Sequence, residues 1–185
     1  MTEQTAHDTA IQAEVRRWLE RVVVGLNLCP FAGRPLREER VRIVVSNATD
    51  EVALLTDLQL ELARLDDTPA RELETTLIAI PSMLADFADY NDFLDRVDEL
   101  LQEFEWEGEY QVASFHPHYR FADTEADDVE NLTNRSPVPL LHLLREASVE
   151  AAVDAHPDAE GIPDANIARM RALGAAQIED LFKRR

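Results

Sequence analysis

The 185-residue chain predicts an α/β fold, a small mostly parallel three-stranded sheet with flanking helices and a helical C-terminal region. Three observations point there. Short β-branched or apolar runs at residues 41–45, 73–80 and 109–115 alternate with long amphipathic segments. Proline or turn residues bound the runs. A strand that returns to its own sheet through a helix normally runs parallel to the first, with a right-handed crossover.

The elements follow in order. Residues 10–28 place Ile11, Val15, Trp18, Leu19, Val22, Val23 and Leu26 at helical spacing, with Glu14, Arg17, Glu20 and Arg21 between them. That helix should end near Asn27, because Pro30 lacks a backbone donor and restricts Cys29 to extended geometry. Gly33, Arg34 and Pro35 mark a loop, and the run VRIVV from Val41 is the first strand. Asn47 to Asp50 supply turn and capping residues ahead of a helix over 51–65, striped by Leu54, Leu55, Leu58, Leu62 and Leu65. Residues 73–80 form the second strand, closed by Pro81 and Ser82.

Leu84, Phe87, Tyr90, Leu94, Val97, Leu101 and Phe104 then trace a third helix, which Gly108 ends. Over 109–115 the alternation sets Tyr110, Val112, Ser114 and His116 on one face of a third strand. Residues 122–139 read as a long polar loop. Ser136 suits an N-cap with Pro137 at the first position of a helix over 137–147, and Ser148 caps a short helix to Ala155. Residues 156–163 are a linker, and 164–182 a terminal helix broken at Gly174. The whole reads as a single domain with its core at about 10–155 and a helical extension at about 156–185.

Charge excludes two function classes. Thirty-seven acids against 18 bases give a formal charge of −19, a field that repels phosphate backbones and anionic lipid. Lys183, Arg184 and Arg185 are too short a basic run to reverse it, so neither nucleic acid nor membrane is an expected partner. No apolar run approaches the roughly 18 residues of a membrane span, and the polar N-terminus lacks the plan of a signal peptide. A cytoplasmic protein is the expectation, and the single Cys29 fits a reducing compartment.

Chemistry is expected at the carboxyl edge of a parallel sheet, where the strands end at Ser46, Pro81 and His116. In SFHPHYRF, Pro117 forces the chain out of the sheet after His116 and carries His118 into the loop. An imidazole titrates near neutrality, so His116 is the first candidate for acid–base work. In NLTNRSPVP, the residues Asn134, Arg135 and Ser136 precede the expected helix N-terminus, a combination that favours a small anion. A divalent zinc or iron would need His116 and His118 with a third ligand from His142, Cys29, Asp127 or Asp128, although CxxC and HExxH spacings are absent. Cys29 as nucleophile is opposed by its place at the end of the first helix, where the macrodipole disfavours a thiolate.

The blocks GLNLCPFAGRP from Gly25, LETTL from Leu73, DYNDFLD from Asp89, QVASFHPHYRFA from Gln111 and NLTNRSPVPLLHLLREASVE from Asn131 resemble a bacterial domain-of-unknown-function family, DUF1415. The resemblance covers nearly the whole chain and brings no activity with it. It implies that the family's characteristic residues fall here at Asn27, Cys29, Pro30, Phe31, Glu74, Thr75, Tyr90, Asn91, His116, Pro117, Tyr119, Asn134, Arg135, Ser136, Pro137, His142, Arg145 and Glu146. It also implies a polar residue other than histidine at the position of His118 in many members, which favours a single essential His116 over a metal pair.

Two functions compete on these residues. One is a small-molecule enzyme in which His116 is acid–base or metal ligand, Tyr119 and Glu74 are supporting polar groups, Cys29 is a further catalytic candidate, and Arg135 holds an anionic substrate group. The other is a non-catalytic ligand-binding or protein-interaction module using the same pocket.

Overall fold

The computed structural model describes residues 3–182; Lys183, Arg184 and Arg185 lie outside them. The first helix, α1 (Glu3–Trp18), continues into a π-helical stretch (Leu19–Val24). It starts earlier than the periodicity predicts and stops sooner, before Asn27 turns into a left-handed conformation at φ 52°. Gly25 is required there, since a Cβ at that position would lie 2.3 Å from the Arg21 carbonyl oxygen. The expected loop around Pro35 contains a single helical turn, α2 (Gly33–Arg37), whose early position tolerates a residue without an N–H.

Strand β1 (Val41–Val45) leads to α3 (Glu51–Asp67), capped by the Asp50 side chain on the Ala53 amide. Strand β2 (Thr75–Ala79) is buried throughout, and α4 (Phe87–Glu103) is capped by Asp86. Helix α4 begins three residues after Leu84 because Leu84 itself is left-handed, at φ 56°. Strand β3 (Tyr110–Phe115) is followed by a loop holding a 3₁₀ turn (Val129–Asn134). Then come β4 (Leu140–Arg145), α5 (Glu146–Ala155), α6 (Ile162–Ala172) and α7 (Ala175–Phe182).

The sheet corrects the expectation of three mostly parallel strands. It has four, in the order β1-β2-β4-β3, with β1 and β2 parallel and β4 antiparallel to both of its neighbours. The three expected strands do run the same way, but β4 lies between the second and third. The segment expected as a helix from Pro137 is this strand. LLHLLR is buried on both faces: Leu141 and Leu143 pack with α3 and α4, while Leu140 packs with α1. Such a strand carries no alternation, and a run of leucines this short is equally compatible with a buried helix.

Two apolar layers result. Leu54, Leu58, Leu62 and Leu65 of α3 and Phe93 and Val97 of α4 cover one face of the sheet. Val15, Trp18, Leu19, Val22 and Val23 cover the other, joined by Met170 of α6. Burying a side chain of this size contributes roughly 1.5–3 kcal/mol, so each helix is held by its stripe. Two polar clamps fix the edges. The Tyr90 hydroxyl donates to the Leu140 carbonyl at 2.7 Å and accepts from the Phe115 amide at 3.2 Å, bridging β3 and β4 where they diverge. Arg145 donates to the carbonyls of Leu65, Thr68 and Leu73, which ties β4 to the end of α3. Among the described residues no helix is long and apolar enough to cross a membrane.

Candidate functional site

His116 stands one residue beyond β3, on the sheet face that carries α4. It is fully buried, its ring 5.1 Å from Tyr90 and 5.4 Å from Phe87 between centroids. The His118 amide donates to its Nδ1 at 3.0 Å, so the proton of the neutral ring is on Nε2, which lies 3.0 Å from the Leu84 carbonyl and donates to it. Burial holds its pKa below the ordinary histidine range, with the Leu84 bond opposing. Both ring nitrogens are therefore occupied by backbone, and the imidazole fastens the left-handed turn at Leu84 to the exit of β3.

The two polar segments singled out in the sequence face each other. The His116 amide donates to the Asn134 carbonyl at 3.2 Å, and the Ser136 amide returns to the His116 carbonyl at 3.4 Å. Asn134 adds a side-chain bond to the Ser114 carbonyl at 3.2 Å. This pairing prolongs the β3–β4 ladder beyond Phe115. The Ser136 hydroxyl donates to the Val138 carbonyl at 2.6 Å and caps no helix, because Pro137 to Pro139 lead into β4. The helix N-terminus expected beside Arg135 is thus replaced by extended chain.

Arg135 is positioned from both ends. Its carbonyl accepts the indole N–H of Trp18, and its guanidinium donates to the Ala126 carbonyl. Its Nε is sealed from solvent and has no hydrogen-bond partner. Burial lowers its pKa from the ordinary arginine value. The side chain lines a cavity of about 280 Å³ between α1, the Leu132–Pro137 segment and α7. Arg17 and Trp18 of α1, with Arg21 of the π-helical stretch, form one wall and Leu181 and Phe182 of α7 another. Arg21 is paired with Asp180 at 2.7 Å, whereas Arg17 has no acidic partner among the described residues. The sequence had set Arg17 and Arg21 on the outer side of the first helix.

The remaining candidates lie elsewhere. Tyr119 is close to His116, with its amide on the His116 carbonyl and its ring 5.1 Å from Phe87. Glu74 is at the opposite edge of the sheet, just before β2, where its carboxylate pairs with Arg40. Cys29 packs with the α1 core and shares neither the cavity nor a hydrogen bond with His116 or Arg135 among the described residues. Burial pushes its thiol pKa up, against the Phe31 and Ala32 amides.

Of the three histidines considered for a metal, His116 and His118 are neighbours with ring centroids 5.9 Å apart, and the sheet separates His142 from them. His116 contacts α4, His118 is exposed, and His142 lies on the α1 face beside Phe115. Burial brings the His142 pKa down to about 4, and its Nε2 is sealed without a hydrogen-bond partner. Among the described residues no group of three His, Cys, Asp or Glu side chains is placed to hold a metal ion.

A family model described as Protein of unknown function (DUF1415) matches residues 10–180. No curated protein and no solved structure matches the chain.

Proposed function

The chain belongs to the DUF1415 family of proteins of unknown function, and from that premise, which brings no chemistry with it, we propose that it is a ligand-binding protein for a small anionic molecule. The ligand occupies the cavity between α1 and α7, and Arg135 is its principal contact. One observation carries this reading: Arg135 lines the cavity without an acidic partner among the described residues, its guanidinium meeting only the Ala126 carbonyl. A guanidinium partly withdrawn from water and without a counter-ion is stabilised by an anion brought beside it.

Arg17, unpaired among the described residues, supports the same sign of ligand in a chain whose net charge is −19. His116 is a positioning group in this reading. Acid–base work would first require breaking its bond to Leu84, and that favours binding without turnover over the enzyme. Asn134 and Ser136 act through the backbone, setting the carbonyl and side chain of Arg135.

The test is a thermal-shift screen of small carboxylates and phosphate esters on wild type and Arg135→Gln, with each hit followed by NMR for consumption. A ligand at a hundred times its Kd should raise the melting temperature by about 5–10 °C. The rise should vanish in Arg135→Gln, and the hit should remain intact. A hit that is consumed, at a rate abolished by His116→Asn in a folded protein, would return His116 to catalysis.

A further inference from the structure

We infer that the molecule taken by this cavity is an apolar monocarboxylate, not a phosphate. The inference rests on the cavity being an anion site, and concerns which anion. Its first support is the charge around Arg135. Three arginines line the space, but Arg21 is already neutralised by Asp180, and Glu14 and Glu179 line the same walls. Arg17 and Arg135 therefore share the lining with two carboxylates. A phosphate dianion would set its second charge against those acids, whereas one planar carboxylate matches the fork of a single guanidinium.

The second support is the rest of the wall. Trp18, Leu132, Ile178, Leu181 and Phe182 present ring and aliphatic surface, and Trp18 is itself 5% exposed. Its indole N–H is spent on the Arg135 carbonyl, so the ring offers only its hydrocarbon face to a ligand. Apolar walls with a few placed polar groups suit a body that is hydrophobic and a head that is charged. The third is size. A cavity of about 280 Å³ holds on the order of nine waters at roughly 30 Å³ each, which sets a ligand of about that many non-hydrogen atoms. A benzoate-sized acid meets all three conditions.

Calorimetry with benzoate, phenyl phosphate and uncharged benzamide on the full chain decides it. Benzoate should bind at one site per chain, with phenyl phosphate and benzamide at least tenfold weaker. Arg135→Gln should weaken benzoate by roughly tenfold to a hundredfold, the loss of one charge-assisted hydrogen bond. If Arg135→Gln does not fold, Arg17→Gln, at the half-buried α1 wall, should weaken benzoate by a few-fold and leave benzamide unchanged. Phenyl phosphate bound more tightly than benzoate, and lost with Arg135, would overturn the carboxylate while leaving the anion site standing. Equal binding of benzamide would overturn the role of charge. Failure of both benzoate and phenyl phosphate to show any binding that depends on Arg135 or Arg17 would remove the anion site itself.

Discussion

The indole nitrogen of Trp18 donates to the carbonyl of Arg135 at 2.9 Å, joining residues 117 positions apart in the chain. This bond sets the distance between α1 and the segment that carries the cavity's arginine. Trp18→Phe keeps most of the ring and removes the donor, leaving a part-buried carbonyl without its partner. The expected loss is about 1 kcal/mol in urea denaturation. Benzoate affinity should fall with it, and an unchanged affinity would show that Arg135 does not need this tether.

Arg145 reaches three carbonyls, at 2.7 Å for Leu65 and 3.1 Å for Leu73, with Thr68 between them. It also lies over the Tyr110 ring. All three carbonyls converge on one nitrogen, Nη2, while Nη1 reaches the Tyr110 hydroxyl at 3.4 Å, so removal of the guanidinium leaves a cluster of carbonyls without its donor. Arg145→Ala should therefore cost about 2–4 kcal/mol by denaturant titration, and Arg145→Lys, whose ammonium can stand in for Nη2, should cost less. Retention of wild-type stability would mean the carbonyls find water instead.

Burial holds His142 at about 4, against an ordinary value of 6.5. The unfolded chain then binds more protons than the folded one between those values. The stability is fully present above pH 6.5 and is lost as pH falls toward 4. From pH 7 to pH 5 the loss should be roughly 2 kcal/mol. His116, also lowered by burial, adds a loss of the same sign. The pH slope of the denaturation midpoint in that window should flatten in His142→Leu; a slope identical to wild type would assign the acid sensitivity elsewhere.

Gly25→Ala places a methyl 2.3 Å from the Arg21 carbonyl oxygen, in backbone that has no room to move aside without closing the wide π-helical turn. A cost of about 1–3 kcal/mol is expected from such overpacking. Because Arg21 lines the cavity, ligand affinity should also drop, which calorimetry would detect even if the melting temperature fell only slightly.

Three strands and most helices were legible because their signals are local. Pro81 and Pro117 end runs that could only be strands, and the leucines of α3 fall on one face at helical spacing. Strand β4 was not legible, since Leu140 to Leu144 meet apolar layers on both sides and the chain therefore shows no period. The helix N-terminus assigned to Ser136 disappeared with it. SFHPHYRF and NLTNRSPVP were expected to contribute to one pocket; their backbones pair, but Arg135 lines the cavity and His116 does not. The true partner of the His116 ring, the Leu84 carbonyl, depends on a left-handed turn at a leucine, which no residue preference announces. Arg17 and Arg21 stood only as polar residues between the apolar positions of the first helix, because α7, which forms the facing wall, comes about 160 residues later.

The late arrival of β4 also governs assembly. Synthesis through Phe115 yields β1, α3, β2, α4 and β3, yet β2 and β3 have no hydrogen bonds to each other, because the place between them belongs to residues 140–145. Until that strand emerges, two edges stand open and Tyr90 has no Leu140 carbonyl to meet. The sheet therefore closes in one nonlocal event once residues 140–145 have emerged, a wedge driven between strands already made, and a chain truncated before Leu140 exposes the edges that invite aggregation.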